Sequence, residues 1–255
     1  MADAVRYVRQ RRLTPVAPHL VTTVLPPSLG PIDLQAADSF YDALVRDDTV
    51  AARAIVSGRY LSGANIAAIG DSLIQPVLMR LGNLWTQDAK WILVEHRTVD
   101  TCLRALADVL EWLPPIPPGA PVSISAAGPG DRYLLPPVLA SMTLREQGFE
   151  SKNIGPETPI DTLVLAAERY RAVLCSVSVS TPFERKRQQD WESLAERLEA
   201  ANTRLVVGGR CSSCLSADFL SRIQSRASMV ELGAYAAGVL QGVAPALGGR
   251  RRSAT

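Results

Sequence analysis

Histidine is nearly absent from this chain, with only His19 and His96 in 255 residues, and the other scarcities are as restrictive. Four cysteines, at 102, 175, 211 and 214, do not make a disulfide framework, because the first falls in a predicted helix and the second in a predicted buried strand. Cys211 and Cys214 have the spacing of a zinc-ligand or redox pair. No second CxxC and no nearby histidine complete a tetrahedral metal site. The net charge of +2 carries no polyanion-binding signature. The basic runs Arg9-Gln10-Arg11-Arg12 and Arg250-Arg251-Arg252 lie in terminal segments and read as solvated tails, so direct contact with DNA is not expected. No apolar run approaches the roughly 20 residues that span a bilayer, and the N-terminus lacks the apolar core of a secretion signal. A cytoplasmic location without membrane contact is expected. A Walker-type phosphate loop and any constellation of nucleophile, base and acid are missing too, and the chain is therefore not expected to be an enzyme.

What is present is enough apolar material, 47% of residues, for one large domain or two small ones. Residues 1–34 hold Pro15, Pro18, Pro26, Pro27 and Pro31 with little periodicity and read as an extended arm. Helical spacing then predicts four helices near 35–46, 48–57, 63–84 and 89–113, a four-helix bundle over 35–113. Pro76 should kink the third, and Asp88 is placed to cap the fourth. The segment 114–121, Pro-Pro-Ile-Pro-Pro-Gly-Ala-Pro, stops helices and reads as a linker. Beyond it strands are predicted at 122–127, 151–154, 172–179 and 204–207, separated by helices near 133–147, 160–169 and 184–200. Helices near 217–222 and 231–242 follow, and a basic tail occupies 244–255. This alternation is the pattern of a doubly wound parallel α/β sheet over 122–243, a Rossmann or flavodoxin type that binds ligands beyond the carboxyl ends of its strands.

The stretch from Trp85 to His96 is unusual within this plan. Ile92, His96, Val99, Leu103, Leu106, Leu110 and Leu113 recur at steps of four and three, which puts His96 where a leucine is expected, with Glu95 at the border of the stripe. A polar pair on a core-facing surface costs free energy unless it meets a partner or a ligand. A neighbouring helix could satisfy it, and so could a bound molecule. In the α/β half, three strand ends carry Gly128-Pro-Gly-Asp131-Arg-Tyr133-Leu-Leu-Pro136, the serines Ser176, Ser178 and Ser180, and Gly208-Gly209. Glycines there let a ligand approach the backbone, and serines offer hydroxyl donors.

A tryptophan, nine intervening residues and Glu-His at the end of a bundle resemble the adenosylcobalamin cap of the CarH/LitR family of light-sensing regulators. The strand-end loops resemble those of the cobalamin-binding Rossmann-like domain, with its Asp-x-His-x-x-Gly motif, serine strand end and Gly-Gly. The two resemblances span about 35–113 and 120–243. They imply that Trp85, Glu95 and His96 cover the upper face of a corrin, and that Asp131, Tyr133, Ser176, Ser178, Gly208 and Gly209 receive it from below. Tyr133 stands where that family has its cobalt-ligating histidine. Thr86 follows Trp85 where a light-sensing relative can carry a second histidine.

The implied function is a tetrapyrrole-binding sensory or regulatory protein that holds cobalamin, as adenosylcobalamin, between bundle and sheet. Light or the state of the ligand would shift the bundle against Trp85, Glu95 and His96. With no DNA-binding module, the output would pass through a protein partner such as a transcriptional regulator or signalling protein, or through a change in homo-oligomer. The missing histidine leaves haem, with Tyr133 as a ligand in principle, or an open-chain bilin as alternatives on the same fold. A corrinoid carrier serving a methyltransferase is a further reading, and a ligand-free interaction module another.

Overall fold

The computed structural model of the chain describes residues 34–83, 90–182 and 188–243. The helical half opens with α1 (Leu34–Val45) and α2 (Thr49–Leu61). Between them Asp47 takes a left-handed φ of 55°, and the Asp48 carboxylate caps α2 by accepting the Ala51 N–H at 2.9 Å. Asn65 does the same for α3 (Ile66–Ile69), accepting the Ala68 N–H at 2.7 Å. A π-turn at Gly70–Ile74 joins α3 to α4 (Gln75–Gly82), and its cause is Pro76. Proline has no N–H to donate, and the chain meets that loss by widening one turn, so that the Gln75 N–H reaches back five residues to the Gly70 carbonyl. The kink expected at Pro76 is thus a π-turn. The fourth helix of the bundle is α5 (Lys90–Leu110). Asp88, its expected cap, lies outside the described residues.

These helices share a core of Phe40, Leu44, Val56, Tyr60, Ile66, Ile69, Leu73, Leu81, Leu106 and Val109, all buried. Small residues let α2 and α5 approach closely: Ala52, Thr101, Cys102 and Ala105 are buried, and the Thr49 and Thr101 hydroxyls lie 3.5 Å apart. A two-point bond from Arg53 to Asp108, at 2.8 and 2.7 Å, ties the same helices at the rim.

The second half alternates strand and helix: β1 (Val122–Ala127), α6 (Leu135–Gln147), β2 (Glu150–Gly155), α7 (Ile160–Tyr170), β3 (Leu174–Ser178), α8 (Gln188–Ala200) and β4 (Arg204–Gly208). A 3-10 turn (Ser212–Cys214), α9 (Ala217–Arg222), β5 (Gln224–Arg226) and α10 (Met229–Val243) complete it. The strands form one parallel sheet in the order β2-β1-β3-β4-β5. The doubly wound α/β class read from the alternation is the observed one. β5 was not legible in the sequence, because Gln224-Ser225-Arg226 has no apolar pattern and is a strand only through its pairing with Val206, Val207 and Gly208.

One face of the sheet packs Ile124, Ala126, Val177 and Val207 against α7 and α8, with Leu163, Trp191, Leu194 and Leu198 buried between. The other packs Leu174 and Val206 against α6 and α10 through Ala140, Leu144, Leu232 and Ala236. α6 is buried on both sides, since its Leu135, Leu139 and Met142 belong to the bundle core. The halves also cap one another. Both oxygens of Asp71, in the π-turn, accept N–H groups at the start of α10, from Met229 and Val230 at 2.9 Å each. In return Glu146 of α6 accepts the Ile66 N–H at the start of α3, at 2.8 Å. Carboxylates are favoured at helix N-termini by the exposed N–H groups and the helix dipole. Asp71→Ala is expected to lower stability by about 1–2 kcal/mol, and Asp71→Asn, which keeps one acceptor oxygen, by less, as read from urea unfolding midpoints.

Candidate functional site

In a parallel sheet of this order the chain leaves β1 to one side and β3 to the other, so the loops after these strands separate and leave a crevice at their carboxyl ends. The loops after β1, β3 and β4 meet there, and a buried carboxylate holds the first two together. Asp131 is 2% exposed; its Oδ2 accepts the Ser180 N–H at 2.6 Å and its Oδ1 accepts the Tyr133 N–H at 3.2 Å. Its own N–H donates to the Gly128 carbonyl and its carbonyl accepts the Glu157 N–H, at 3.0 and 2.7 Å. Burial pushes this carboxyl above its ordinary value, against the pull of the Ser180 and Tyr133 N–H groups and the nearby Arg210 charge.

Arg210, the residue after Gly208-Gly209, forms the rim of the cluster. Its Nε donates to the Ser180 carbonyl at 2.7 Å and its Nη2 to the Tyr133 hydroxyl at 2.6 Å, with the guanidinium 4.9 Å from the centre of the Tyr133 ring. Glu95 on α5 faces the same arginine. Partial burial pushes the Glu95 carboxyl upward, opposed by the charges of His96 and Arg210, so this part of α5 lies within range of the Arg210 charge. Exposed apolar groups, Ile92 on α5 and Leu134 at the start of α6, stand at 47% and 43% exposure.

The structure turns α5 relative to the expected stripe. The buried line runs through Thr98, Thr101, Cys102, Ala105, Leu106 and Val109, so Glu95 continues it while His96 and Ile92 are exposed. His96 is therefore not a core histidine. The expectation weighted large apolar side chains, whereas close helix packing buries small ones such as Thr101 and Ala105. Trp85, the third member of the expected cap, lies outside the described residues.

Ser176 and Ser178 are buried on β3, with Ser178 Oγ 3.5 Å from the Ala126 carbonyl. Register aligns Ser176 with Ser125 and Ser178 with Ala127, on the face that α6 and α10 cover. This layer is rich in hydroxyls, and those of Ser123, Ser125 and Thr143 are buried without a hydrogen-bond partner. An unsatisfied buried hydroxyl costs about 1–3 kcal/mol, so three in one layer mark a place that a polar group could fill.

The glycines have a reason of their own. A Cβ on Gly208 would lie 2.7 Å from the Arg226 carbonyl oxygen, one on Gly209 2.6 Å from that of Val179, and one on Gly128 2.8 Å from the Trp191 ring. The space that each glycine leaves is filled by the protein itself, so these positions are required by loop packing before any ligand is considered. Arg210 is the site residue that the sequence did not point to, and Ser180, noted there for its hydroxyl, takes part through its backbone N–H and carbonyl. Adjacency to Gly208-Gly209 was the available signal for the first.

Gly209→Ala is expected to cost about 3 kcal/mol or more, because a φ of 97° and a backbone collision act together. Gly148→Ala, with a φ of 111° and no atom nearer than 3.8 Å, should cost about 1–2 kcal/mol in the same unfolding assay. The raised folded pKa of Asp131 has a pH signature. Its contribution is most favourable below the unfolded carboxyl pKa of about 3.9 and is lost as pH rises through the folded value. The stability of the wild type relative to Asp131→Asn should therefore fall as the pH is raised above the unfolded carboxyl value of about 3.9, and a flat difference would contradict the assignment.

No protein-family model and no curated protein matches the chain. Among solved structures, the Methanosarcina barkeri monomethylamine corrinoid protein is similar with a TM-score of 0.62 at 17% identity, over 81% of this chain and 99% of that one. The methanol:cobalamin methyltransferase complex MtaBC of the same organism gives a TM-score of 0.42 at 12% identity, covering 84% of this chain and 82% of that one. A cobalamin-binding protein from Desulfitobacterium hafniense DCB-2 gives 0.38 at 13%, covering 81% and 97%. The first of these likenesses is one of fold: a helical bundle followed by a five-stranded parallel α/β sheet.

Proposed function

We propose that this chain binds a corrinoid, cobalamin foremost, between α5 and the strand-end loops, and acts as a regulatory protein rather than a catalyst. The observation that carries the reading is the hydroxyl-rich layer between the sheet and α6 and α10, where the buried Ser123, Ser125 and Thr143 hydroxyls lack partners. The likeness of fold to a corrinoid protein supports the same ligand class and gives none to haem or a bilin. On this reading Asp131, Tyr133, Ser178 and Arg210 hold the ring from the sheet side, and Glu95 and His96 face it from α5. Ser125 and Ser176 line the layer that takes its nucleotide tail. A bound corrinoid supplies a cobalt centre whose axial bond light or a nucleophile can open.

The chain's own contribution is positional. Asp131 holds two loops in one arrangement, Arg210 keeps the Tyr133 hydroxyl occupied as an acceptor, and α5 joins the site at one end to the bundle core at the other. Pressure on Glu95 and His96 is thereby passed to the helix that packs against α2, where a protein partner could read it. Tyr133, whose hydroxyl is already engaged by Arg210, would hold the corrinoid by contact from the sheet side. A corrinoid carrier for methyl transfer is the second reading, favoured by the fold likeness to the monomethylamine corrinoid protein. Turnover of a methyltransferase that depends on this protein would establish it.

Hydroxocobalamin, cobinamide, haem and biliverdin are to be added separately to the dialysed protein in the dark, and retention read from absorbance after desalting. Cobalamin should be retained at least about tenfold more tightly than cobinamide, which lacks the nucleotide tail. Ser125→Ala should weaken that preference while leaving the ligand-free protein equally or more stable, because it removes an unpaired hydroxyl without adding bulk. Equal retention of the two corrinoids refutes the tail site, and retention of haem or biliverdin alone refutes the ligand class.

A further inference from the structure

Cys211-Ser212-Ser213-Cys214 lies directly after Arg210, at the edge of the Asp131 cluster, and no part of the proposed ligand reading uses it. Cys211 flanks the 3-10 turn and Cys214 ends it, and the Cys214 N–H donates to the Cys211 carbonyl at 2.9 Å. Residues three apart in such a turn eclipse one another and are separated by about 6 Å along the axis. That falls inside the Cα separation of about 4.4–6.8 Å that a disulfide tolerates. Burial first, and then the neighbouring Cys214, push the Cys211 thiol up. Cys214 is exposed and Cys211 half-buried, so the first is open to a small oxidant and the second sits behind it. Cys102 and Cys175 are buried and pushed up to about 12, which makes them inert internal controls.

The pair is also wired to the site. The Cys211 thiol donates to the Ser180 carbonyl at 3.4 Å, the same oxygen that accepts from Arg210 Nε at 2.7 Å, and the Ser180 N–H is the one that Asp131 accepts. The Cys211 N–H in turn donates to the Val179 carbonyl at 2.9 Å. We propose that Cys211 and Cys214 are a reversible dithiol and disulfide pair, and that its state reaches the Asp131 cluster through the carbonyl of Ser180.

The oxidant is a low-molecular-weight disulfide of the glutathione class. The Cys214 thiolate attacks one of its sulfurs, breaking the small disulfide and releasing one thiol, which takes up the proton that Cys214 gave. The Cys211 thiolate then displaces the second small thiol from the mixed disulfide, forming the Cys211–Cys214 bond, and its proton goes to that leaving group. The two protein sulfurs lose two electrons and the small disulfide gains them. The bond removes the S–H donor from Ser180, so its carbonyl keeps Arg210 alone among these two partners.

The test needs no corrinoid, so its failure is separate from failure of the ligand reading. The full chain is equilibrated in reduced and in oxidised glutathione, alkylated, and mapped by mass spectrometry, with amide hydrogen exchange measured on both forms. The expected result is joint loss of alkylation at Cys211 and Cys214 with an intramolecular bond between them, reversed by reduced glutathione. Exchange in the peptides around Asp131 and Ser180 should change by about fivefold or more, the lower end of coupling between linked sites. Cys214→Ser, which removes the attacking thiol at an exposed position, should leave Cys211 reduced and lose the exchange change. Independent alkylation of the two cysteines in oxidised glutathione, mixed disulfides alone in the wild type, or an internal disulfide with unchanged exchange would each overturn the proposal.

Discussion

The constraint on which this architecture rests is that α6 has to bury two faces at once. A helix covering a sheet ordinarily shows its other side to water, but Leu135, Leu139 and Met142 turn that side into the floor of the bundle. The bundle is thus built on the sheet rather than tethered beside it, and the reciprocal caps from Asp71 to α10 and from Glu146 to α3 fix its register. Because α6 starts just after the β1 loop, mounting the bundle on it brings Glu95 of α5 within range of the Arg210 charge.

The site that results is held by charge in a confined place. Asp131 is nearly inaccessible to water, and its carboxylate is tolerated because two backbone N–H groups and a nearby guanidinium offset part of the desolvation. The same residue joins the β1 loop to the β3 loop, and Arg210 extends the tie from the β4 loop to Tyr133. Three chain segments far apart in sequence thereby share one hydrogen-bonded cluster. A change at any of them, including the thiol on Ser180, is felt by the others.

Glycine and serine play different parts here than their residue types suggest. Gly128, Gly208 and Gly209 are demanded by contacts within the protein, with backbone or ring atoms less than 3 Å from where a Cβ would stand. Ser123 and Ser125, by contrast, leave hydroxyls unpaired in a buried layer where apolar residues would pack without that cost. On the proposed reading, it is the unsatisfied serines more than the glycines that point to a ligand.

Much of the fold was legible along the chain. Periodicity of 3.6 in the first half and alternation of strands and helices in the second specify the bundle and the parallel sheet, because burial of one apolar face imposes those periods whatever the partner. A disturbance at Pro76 was legible for the same local reason, though its form, a π-turn, was not. What only the tertiary structure decided is which residues meet. The orientation of α5, and with it the exchange of His96 for Glu95 in the buried stripe, depends on how closely α2 approaches through Ala52 and Thr101. The roles of Arg210 and Ser180 depend on three loops converging, and β5 exists only as a neighbour of β4. Local patterns record whether a residue faces a core. They do not record what stands across from it, since that is set by packing between segments more than a hundred residues apart, as between Asp71 and α10.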